Sequence, residues 1–179
     1  VKRQLDQLRK LVDDLHLLSM ARAGQLVLER SEFSLGALVA ERLAWFQPQL
    51  DEAHVLTQVS IVDGVRINAD RDRLGQVLNI LVDNLLRYAA GGGELNIMAR
   101  RIEDRVVIEI GDRGPGISAQ HLESVFDRFW RAERSRARYS GGSGLGLSIA
   151  RAICQAHAGA ITASNRAQGG TLIRAEFPV

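Results

Sequence analysis

The chain has 179 residues, 46% of them apolar, enough for one globular domain with a real core and a short extension. Aromatic residues make up only 5%, so that core must be mainly aliphatic. Lys and Arg total 23 against 21 Asp and Glu, and the net charge of +2 argues against a dedicated nucleic-acid binder. The single cysteine, Cys154, sits in an apolar helical stretch and reads as a small buried residue. No apolar run reaches the roughly 20 residues that cross a bilayer.

Val1, Leu5, Leu8, Val12 and Leu15 alternate steps of four and three, a heptad seam on a helix over Val1–Ala23. Such a helix either packs on its own domain or forms half of a helical dimerisation hairpin. The seam begins at the first residue, which favours the hairpin and a piece of something longer. Gly24 breaks the helix, and Gln25–Phe33 reads as extended. Ser34 can cap a second helix, Leu35 to Ala53, with Leu38, Val39, Leu43, Phe46 and Leu50 on one face. Val55–Val62 and Val65–Ala69 read as strands around an Asp63-Gly64 turn. Asp70 caps a third helix that runs to Tyr88 and ends at Gly91-Gly92-Gly93. Strands follow at Glu94–Arg101 and Arg105–Gly111, then a glycine-rich loop and a short helix, Ser118 to Phe126. An Arg-rich segment reaches Arg138, and a second glycine loop opens a helix from Leu145 to His157 that Gly159 terminates. Strands Ala160–Asn165 and Thr171–Phe177 close the chain. This order predicts an α/β (α+β) two-layer sandwich: a mixed, mostly antiparallel sheet with helices on one face, preceded by one long helix.

Three clusters carry chemistry. On the third helix, Arg87 and Tyr88 lie within about 60° of Asn84 at 100° per residue. An amide oxygen can ligate Mg²⁺, a guanidinium can hold phosphate, and a phenol can lie against a base or ribose. The same triplet is also what an exposed polar stripe looks like. Next, Asp112-Arg113-Gly114-Pro115-Gly116-Ile117 follows a strand. There an Asp can accept a hydrogen bond from an exocyclic amine such as adenine N6, and the glycines let the backbone approach a ligand. The competing reading is a strand-to-helix turn with Asp as a cap. Last, Gly141-Gly142-Ser143-Gly144-Leu145-Gly146-Leu147 leads straight into a helix, a phosphate-binding arrangement. No Lys-Ser/Thr pair follows, so it is not a Walker loop. Between the two loops lie Phe126-Asp127-Arg128-Phe129-Trp130-Arg131, then Arg134, Arg136 and Arg138, a lid with cationic side chains for phosphate or a solvated loop.

In this order the pieces resemble the catalytic domain of histidine kinases, within the superfamily that also holds gyrase and heat-shock ATPases. Gln76 to Ala89 is similar to the N box, and Asp112 to Ile117 to the first glycine box. Phe126 to Arg131 is similar to the F box, Gly142 to Leu147 to the second glycine box, and Gly169-Gly170-Thr171 to a weaker third. The resemblance runs from Phe33 to Val179, and Leu11-Val12-Asp13-Asp14-Leu15 is similar to the second dimerisation helix. Within the family, the envelope-stress type of membrane sensor is most similar.

The resemblance implies two parts: residues 1–24, the last helix of a dimerisation and histidine-phosphotransfer hairpin, and 25–179, the ATP-binding catalytic domain. It implies ATP and Mg²⁺ as cofactors, with Asn84 and Arg87 catalytic and Asn84 the metal ligand. Tyr88, Asp112, Gly114, Gly116, Phe129, Arg131, Gly142, Ser143, Gly144 and Gly146 would bind the nucleotide. Ile117, Leu145 and Leu147 would supply apolar walls, and Thr171 would help at the adenine end. The implied partners are a dimerisation helix bearing the phosphoacceptor histidine, a response regulator, and a second copy in a homodimer. The implied location is cytoplasmic, as part of an inner-membrane sensor. One departure stands out. The family's second polar residue, one turn before the metal-binding Asn, is replaced by Ile80, and Asn79 lies about 140° away around the helix. Ile80 counts against a water-activating ATPase of the gyrase or chaperone kind. It also motivates a rival reading, a non-catalytic nucleotide-binding or dimer-scaffold module. His16, His54, His121 and His157 lack the context of a phosphoacceptor.

Overall fold

A computed structural model describes residues 2–131 and 143–179. In chain order the elements are α1 (Lys2–Arg22), β1 (Arg30–Ser34), α2 (Leu35–Glu52), β2 (Leu56–Ile61), β3 (Arg66–Asp70) and α3 (Arg71–Tyr88). Then come β4 (Glu94–Ile102), β5 (Arg105–Asp112), α4 (Gly146–Ala156), β6 (Ala160–Asn165) and β7 (Thr171–Pro178). A five-stranded sheet has the order β2-β4-β5-β7-β6, and β1 pairs with β3 in a separate ribbon. Only the β2–β4 pair is parallel; the others in the main sheet are antiparallel. The sheet is therefore mixed and mostly antiparallel, as the element order predicts.

Alternation along the strands decides which face is covered. Leu95, Ile97 and Ala99 of β4, Val106, Ile108 and Ile110 of β5, and Ala175 and Phe177 of β7 are all buried. They join Leu38, Val39 and Leu50 of α2, Leu74, Val77, Leu78, Leu81, Val82 and Leu85 of α3, and Ile149, Ile153 and Cys154 of α4 in one cluster. Burial pushes the Cys154 thiol up to about 12, which leaves it an inert core group. The opposite face carries a charge ladder. Glu109 accepts from Arg100 at 2.9 Å and Arg174 at 3.1 Å, and Arg174 also meets Glu176 at 2.7 Å.

Several expectations need correction. The strands around Asp63-Gly64 form, but they are not a hairpin. The turn itself closes, with Val65 N–H donating to Val62 C=O at 3.2 Å, but the remaining main-chain groups pair elsewhere: Val62 N–H donates to Ala99 C=O of β4, and Val65 C=O accepts from Leu35 N–H at the start of α2. The segment Ser118 to Phe126 is two short 3₁₀ turns, Ala119–His121 and Ser124–Phe126, instead of one helix. Neither turn has a side-chain cap, and burial of Val125 and Phe126 draws the chain inward. After α4 the left-handed residue is Ala158, at φ +57°, while the Gly159 N–H closes the helix end on Cys154 C=O at 2.8 Å.

On α1, Leu17 and Leu18 are buried against the domain and Leu11 partly so. The heptad positions Leu5, Leu8, Val12 and Leu15 stay exposed, at 61%, 59%, 58% and 42%. One helix thus serves two faces, and only one is filled by its own chain.

His157 ties distant elements together. Its Nε2 accepts from the Asp70 N–H at 3.0 Å, and its Nδ1–H donates to Ile153 C=O at 2.8 Å. The ring stands edge-on to Phe177 at 5.8 Å. Asp70 in turn caps α3 through the Arg73 N–H and holds the Glu29 N–H, each at 3.0 Å. Burial holds the His157 pKa below its ordinary 6.5. Protonation would set one N–H against another. The unfolded chain therefore binds more protons just below pH 6.5, so this contribution is full above that value and is lost as pH falls toward the folded pKa. Urea unfolding from about pH 7.5 down to about pH 5.5 should show declining stability, with a flatter profile in a weaker His157→Gln protein. An equally steep profile in the variant would refute the assignment.

Candidate functional site

The site is built on α3. Asp70 starts the helix, and the buried residues from Leu74 to Leu85 fix its rotation against the sheet. That leaves Ile80, Asn84 and Tyr88 as a stripe four residues apart, with Asp83 and Arg87 beside it. Asn84 is half-buried, and its side chain makes no hydrogen bond with the described residues. The Arg87 Nε donates to Asp83 Oδ2 at 2.8 Å. Tyr88 is 44% exposed.

The first glycine turn rests on the C-terminal end of this helix. β5 delivers Asp112, whose Oδ1 accepts from Gly114 N–H at 2.7 Å and Thr171 N–H at 3.0 Å. Oδ2 has no partner among the described residues. Gly114 is required by close approach, because a Cβ there would stand 2.6 Å from the Cβ of Ala89, the residue after α3. Behind the turn, Arg166 Nη1 donates to Asp112 C=O at 2.8 Å, and Glu94 lies between Arg113 and Arg166.

The second turn rests on the same helix, nearer its middle. Gly144 has φ +73°, and a side chain there would stand 2.8 Å from Phe129 Cα. The Phe129 N–H donates to Gly144 C=O at 2.9 Å, and Phe129 is itself left-handed at φ +62°. Ser143 Oγ accepts from Leu145 N–H at 3.3 Å. Ile80 Cγ2 lies 3.3 Å from where a Gly146 Cβ would be. α4 therefore starts against α3, and no side chain caps it. Its first-turn amides at Gly146, Leu147 and Ser148 lack helical acceptors and form the positive end of the helix dipole.

The two turns thus meet α3 at Ala89 and Ile80, about 13 Å apart by helical rise, and Asn84 lies between them along the helix axis. Asn84, Asp112 and Gly144 make no direct bonds; the turns that carry the last two reach α3 and its end through Gly146 and Gly114. Two cavities of about 540 and 780 Å³ lie elsewhere. One is between the end of α1 and α4, beside Phe126 and Arg128; the other is beside the β1–β3 ribbon. Leu145 is fully buried, so its side chain packs into the core instead of forming an open wall; Ile117 and Leu147 are half-buried. Phe129 is exposed, Arg131 half-buried and Thr171 buried. Gly141, Gly142, Arg134, Arg136 and Arg138 lie outside the described residues. Ala89, Asn165 and Arg166 also shape the site. An Asn and an Arg ahead of the Gly169-Gly170-Thr171 turn were the only signal for the last two.

The donor set suits a nucleoside triphosphate and a hard cation. Among the described residues no three of His, Cys, Asp and Glu gather as a metal cage. Asn84 offers one hard oxygen of the kind Mg²⁺ accepts alongside phosphate oxygens and water. The uncapped start of α4 offers amides to phosphate. Oδ2 of Asp112 offers an acceptor to a base amine.

A family model described as histidine kinase-, DNA gyrase B-, and HSP90-like ATPase matches residues 69–179, a span holding α3, both turns and Thr171. The chain belongs to this ATPase family. Among its relatives, the signal transduction histidine-protein kinase BaeS of Escherichia coli (strain K12) is 40% identical over 98% of this chain and 38% of its own length. The chain therefore spans well under half of that relative. The structure of Acinetobacter baumannii histidine kinase AdeS matches 98% of this chain and 80% of that one, at 30% identity and a TM-score of 0.83. The structure of histidine kinase ThkA in complex with response regulator protein TrrA matches 99% of this chain and 48% of that one, at 27% identity and a TM-score of 0.77. This ATPase domain is of the sensor histidine kinase type, with the ATP-binding fold that the type implies.

If Gly114 is what lets the first turn seat on α3, Gly114→Ala must displace one of them. The expected loss is about 1–3 kcal/mol, the usual cost of overpacking. Chemical denaturation measures it, and an unchanged midpoint would show that the turn does not rest on Ala89.

Proposed function

We propose that this domain binds ATP with Mg²⁺ and transfers the γ-phosphoryl group to a histidine on a dimerisation helix of the full-length protein. The convergence of both glycine turns on α3, with Asn84 between them, carries the reading. Asp112 Oδ2 accepts from the adenine amine, while its Oδ1 stays on the Gly114 and Thr171 amides. Gly116 and Gly144 bind through the turns that they let close against Asn165 and Phe129, and Ile117 and Leu147 flank the base. The first-turn amides of α4, with Ser143 and Gly142 ahead of them, take phosphate oxygens. Asn84 would hold Mg²⁺, which when bound neutralises charge on the triphosphate. Arg87 turns from Asp83 toward phosphate at small cost, since a surface pair of this kind is worth about 0.3–0.5 kcal/mol. Tyr88 lies beside the nucleotide, and Phe129 and Arg131 close over it. In transfer, an imidazole nitrogen forms the N–P bond, the bond from the γ-phosphorus to the bridging oxygen breaks, and ADP leaves.

The exposed seam Leu5, Leu8, Val12 and Leu15 supports the division at residue 24 and a homodimer through the hairpin. No helix among the described residues is long and apolar enough to cross a membrane. We place the domain on the cytoplasmic side of an inner-membrane sensor, passing phosphate to a response regulator. Ile80 favours a second reading, a non-catalytic nucleotide-binding or scaffold module.

The deciding experiment supplies the phosphoacceptor hairpin in trans with labelled ATP. Acid-labile label on the histidine is expected, and its absence alongside intact ATP binding would favour the scaffold. In binding titrations, Asp112→Asn should weaken ATP at least about tenfold, the loss of a charge-assisted hydrogen bond. Asn84→Ala should abolish the gain in affinity on adding Mg²⁺. Unaltered binding in both variants would overturn the site.

A further inference from the structure

Beyond the residues that face the ligand, the β6–β7 hairpin grips the first glycine turn from behind. Asn165, the last residue of β6, uses both ends of its amide on one residue of that turn. Its Oδ1 accepts from Ile117 N–H at 2.9 Å, and its Nδ2 donates to Ile117 C=O at 2.5 Å. The side chain thus copies the pairing of a neighbouring strand where no strand exists. Gly116, at φ +74°, makes room for it: a Cβ there would stand 2.9 Å from Asn165 Oδ1.

The next residue holds the other end of the same turn. Arg166 Nη1 donates to Asp112 C=O at 2.8 Å and reaches Glu94 at 3.4 Å. The tight connection between β6 and β7 fixes both side chains at their base, through Arg166 N–H to Gly170 C=O and Gly169 N–H to Arg166 C=O, each 3.0 Å. Thr171 then adds its N–H to Asp112 Oδ1 at 3.0 Å. Asp112 and Ile117, the two ends of the turn, are therefore set by one hairpin. Asn165 is solvent-exposed and belongs to no part of the core, so stability alone does not explain a two-bond clamp there.

We infer that Asn165 is a positioning residue for purine discrimination: by clamping Ile117 it holds the turn so that Asp112 Oδ2 points at the base amine. The inference rests on the proposed reading of Asp112. Without the clamp the turn loosens from Ile117 back to Gly114, and the carboxylate, keeping its bond from Thr171 N–H but not a firm one from Gly114 N–H, loses part of its aim. Contacts to the triphosphate, which come from α3 and α4, are untouched. Ile117 lies against either purine, so loosening it costs both nucleotides alike and little; the loss that separates them is the aim of the carboxylate, and Asn165 therefore acts mainly on the choice of base.

The test compares ATP with inosine triphosphate, which carries a carbonyl in place of the adenine amine. The wild-type protein should prefer ATP. Asn165→Ala should lower ATP affinity about tenfold and inosine triphosphate affinity less than about threefold, so the preference collapses while the melting temperature holds. Asn165→Asp keeps the acceptor for Ile117 N–H and loses the donor, and should fall between the two. In the nucleotide-free protein, amide exchange at Gly114 should speed up in Asn165→Ala, since its bond to Asp112 Oδ1 loosens with the turn. A preserved ATP preference, equal losses for both nucleotides, or unchanged Gly114 exchange would overturn the inference. A wild-type protein that shows no preference would instead sink the reading of Asp112 beneath it.

Discussion

The seating of α3 on the sheet is the constraint from which the rest of the site follows. Its buried face, Leu74, Val77, Leu78, Leu81, Val82 and Leu85, leaves little rotational freedom. Burying such side chains stabilises by about 1.5–3 kcal/mol each against exposure. A turn of one residue about the axis would exchange Leu85 for Asn84 and bury an amide with no partner, which costs more still. Because the helix cannot turn, Asn84 and the two turn contacts at Ile80 and Ala89 are fixed relative to one another. No direct bond among them is needed.

A second economy lies in the way polar groups are divided between the fold and the ligand. Asp112 spends one carboxylate oxygen on backbone amides and keeps the other. Under the proposed reading the Asx-type cap and the base acceptor are one side chain in two roles, so the competing readings of Asp112 from sequence are not exclusive. α4 makes the opposite arrangement: its N-cap is Leu145, which supplies no acceptor, so its first-turn amides are left for something else. A cap of Ser or Asp type would stabilise the helix by about 1 kcal/mol and compete with a phosphate. A binding surface held by its own backbone bonds loses little freedom when the ligand arrives, which is where affinity is gained.

Helices α2 and α3 were legible in the sequence because period and caps agree: Ser34 and Asp70 cap them as predicted, through Ala37 and Arg73. Long-range pairing was not legible. Nothing local in Leu56–Ile61 says that its partner is β4 in parallel, because that depends on a crossover through α3 and on where the Val62 N–H and Val65 C=O go, to β4 and to the start of α2. His157 was read only as a histidine lacking acceptor context. Its role appears when the fold brings it to the Asp70 amide, 87 positions away. The glycine turns could be found from composition, but what each glycine touches could not. Gly114 meets Ala89 and Gly116 meets Asn165, and both partners come from elsewhere in the chain.

Ile80 gains a different meaning from its place in the fold. As a sequence feature it removes a polar group one turn before Asn84. In the structure it packs where α4 begins, so it helps set the helix whose first-turn amides are left without a side-chain cap. A polar side chain there could orient a water for hydrolysis, and Ile cannot. Under the proposed reading, transfer to histidine does not require that water. A neutral imidazole nitrogen carries its own lone pair near neutral pH, so the acceptor needs alignment more than activation. The replacement then suppresses the competing reaction with solvent while strengthening the contact that positions the triphosphate. Under that reading the same residue that argues against a hydrolase is compatible with phosphotransfer, and the labelled-ATP experiment separates it from the scaffold.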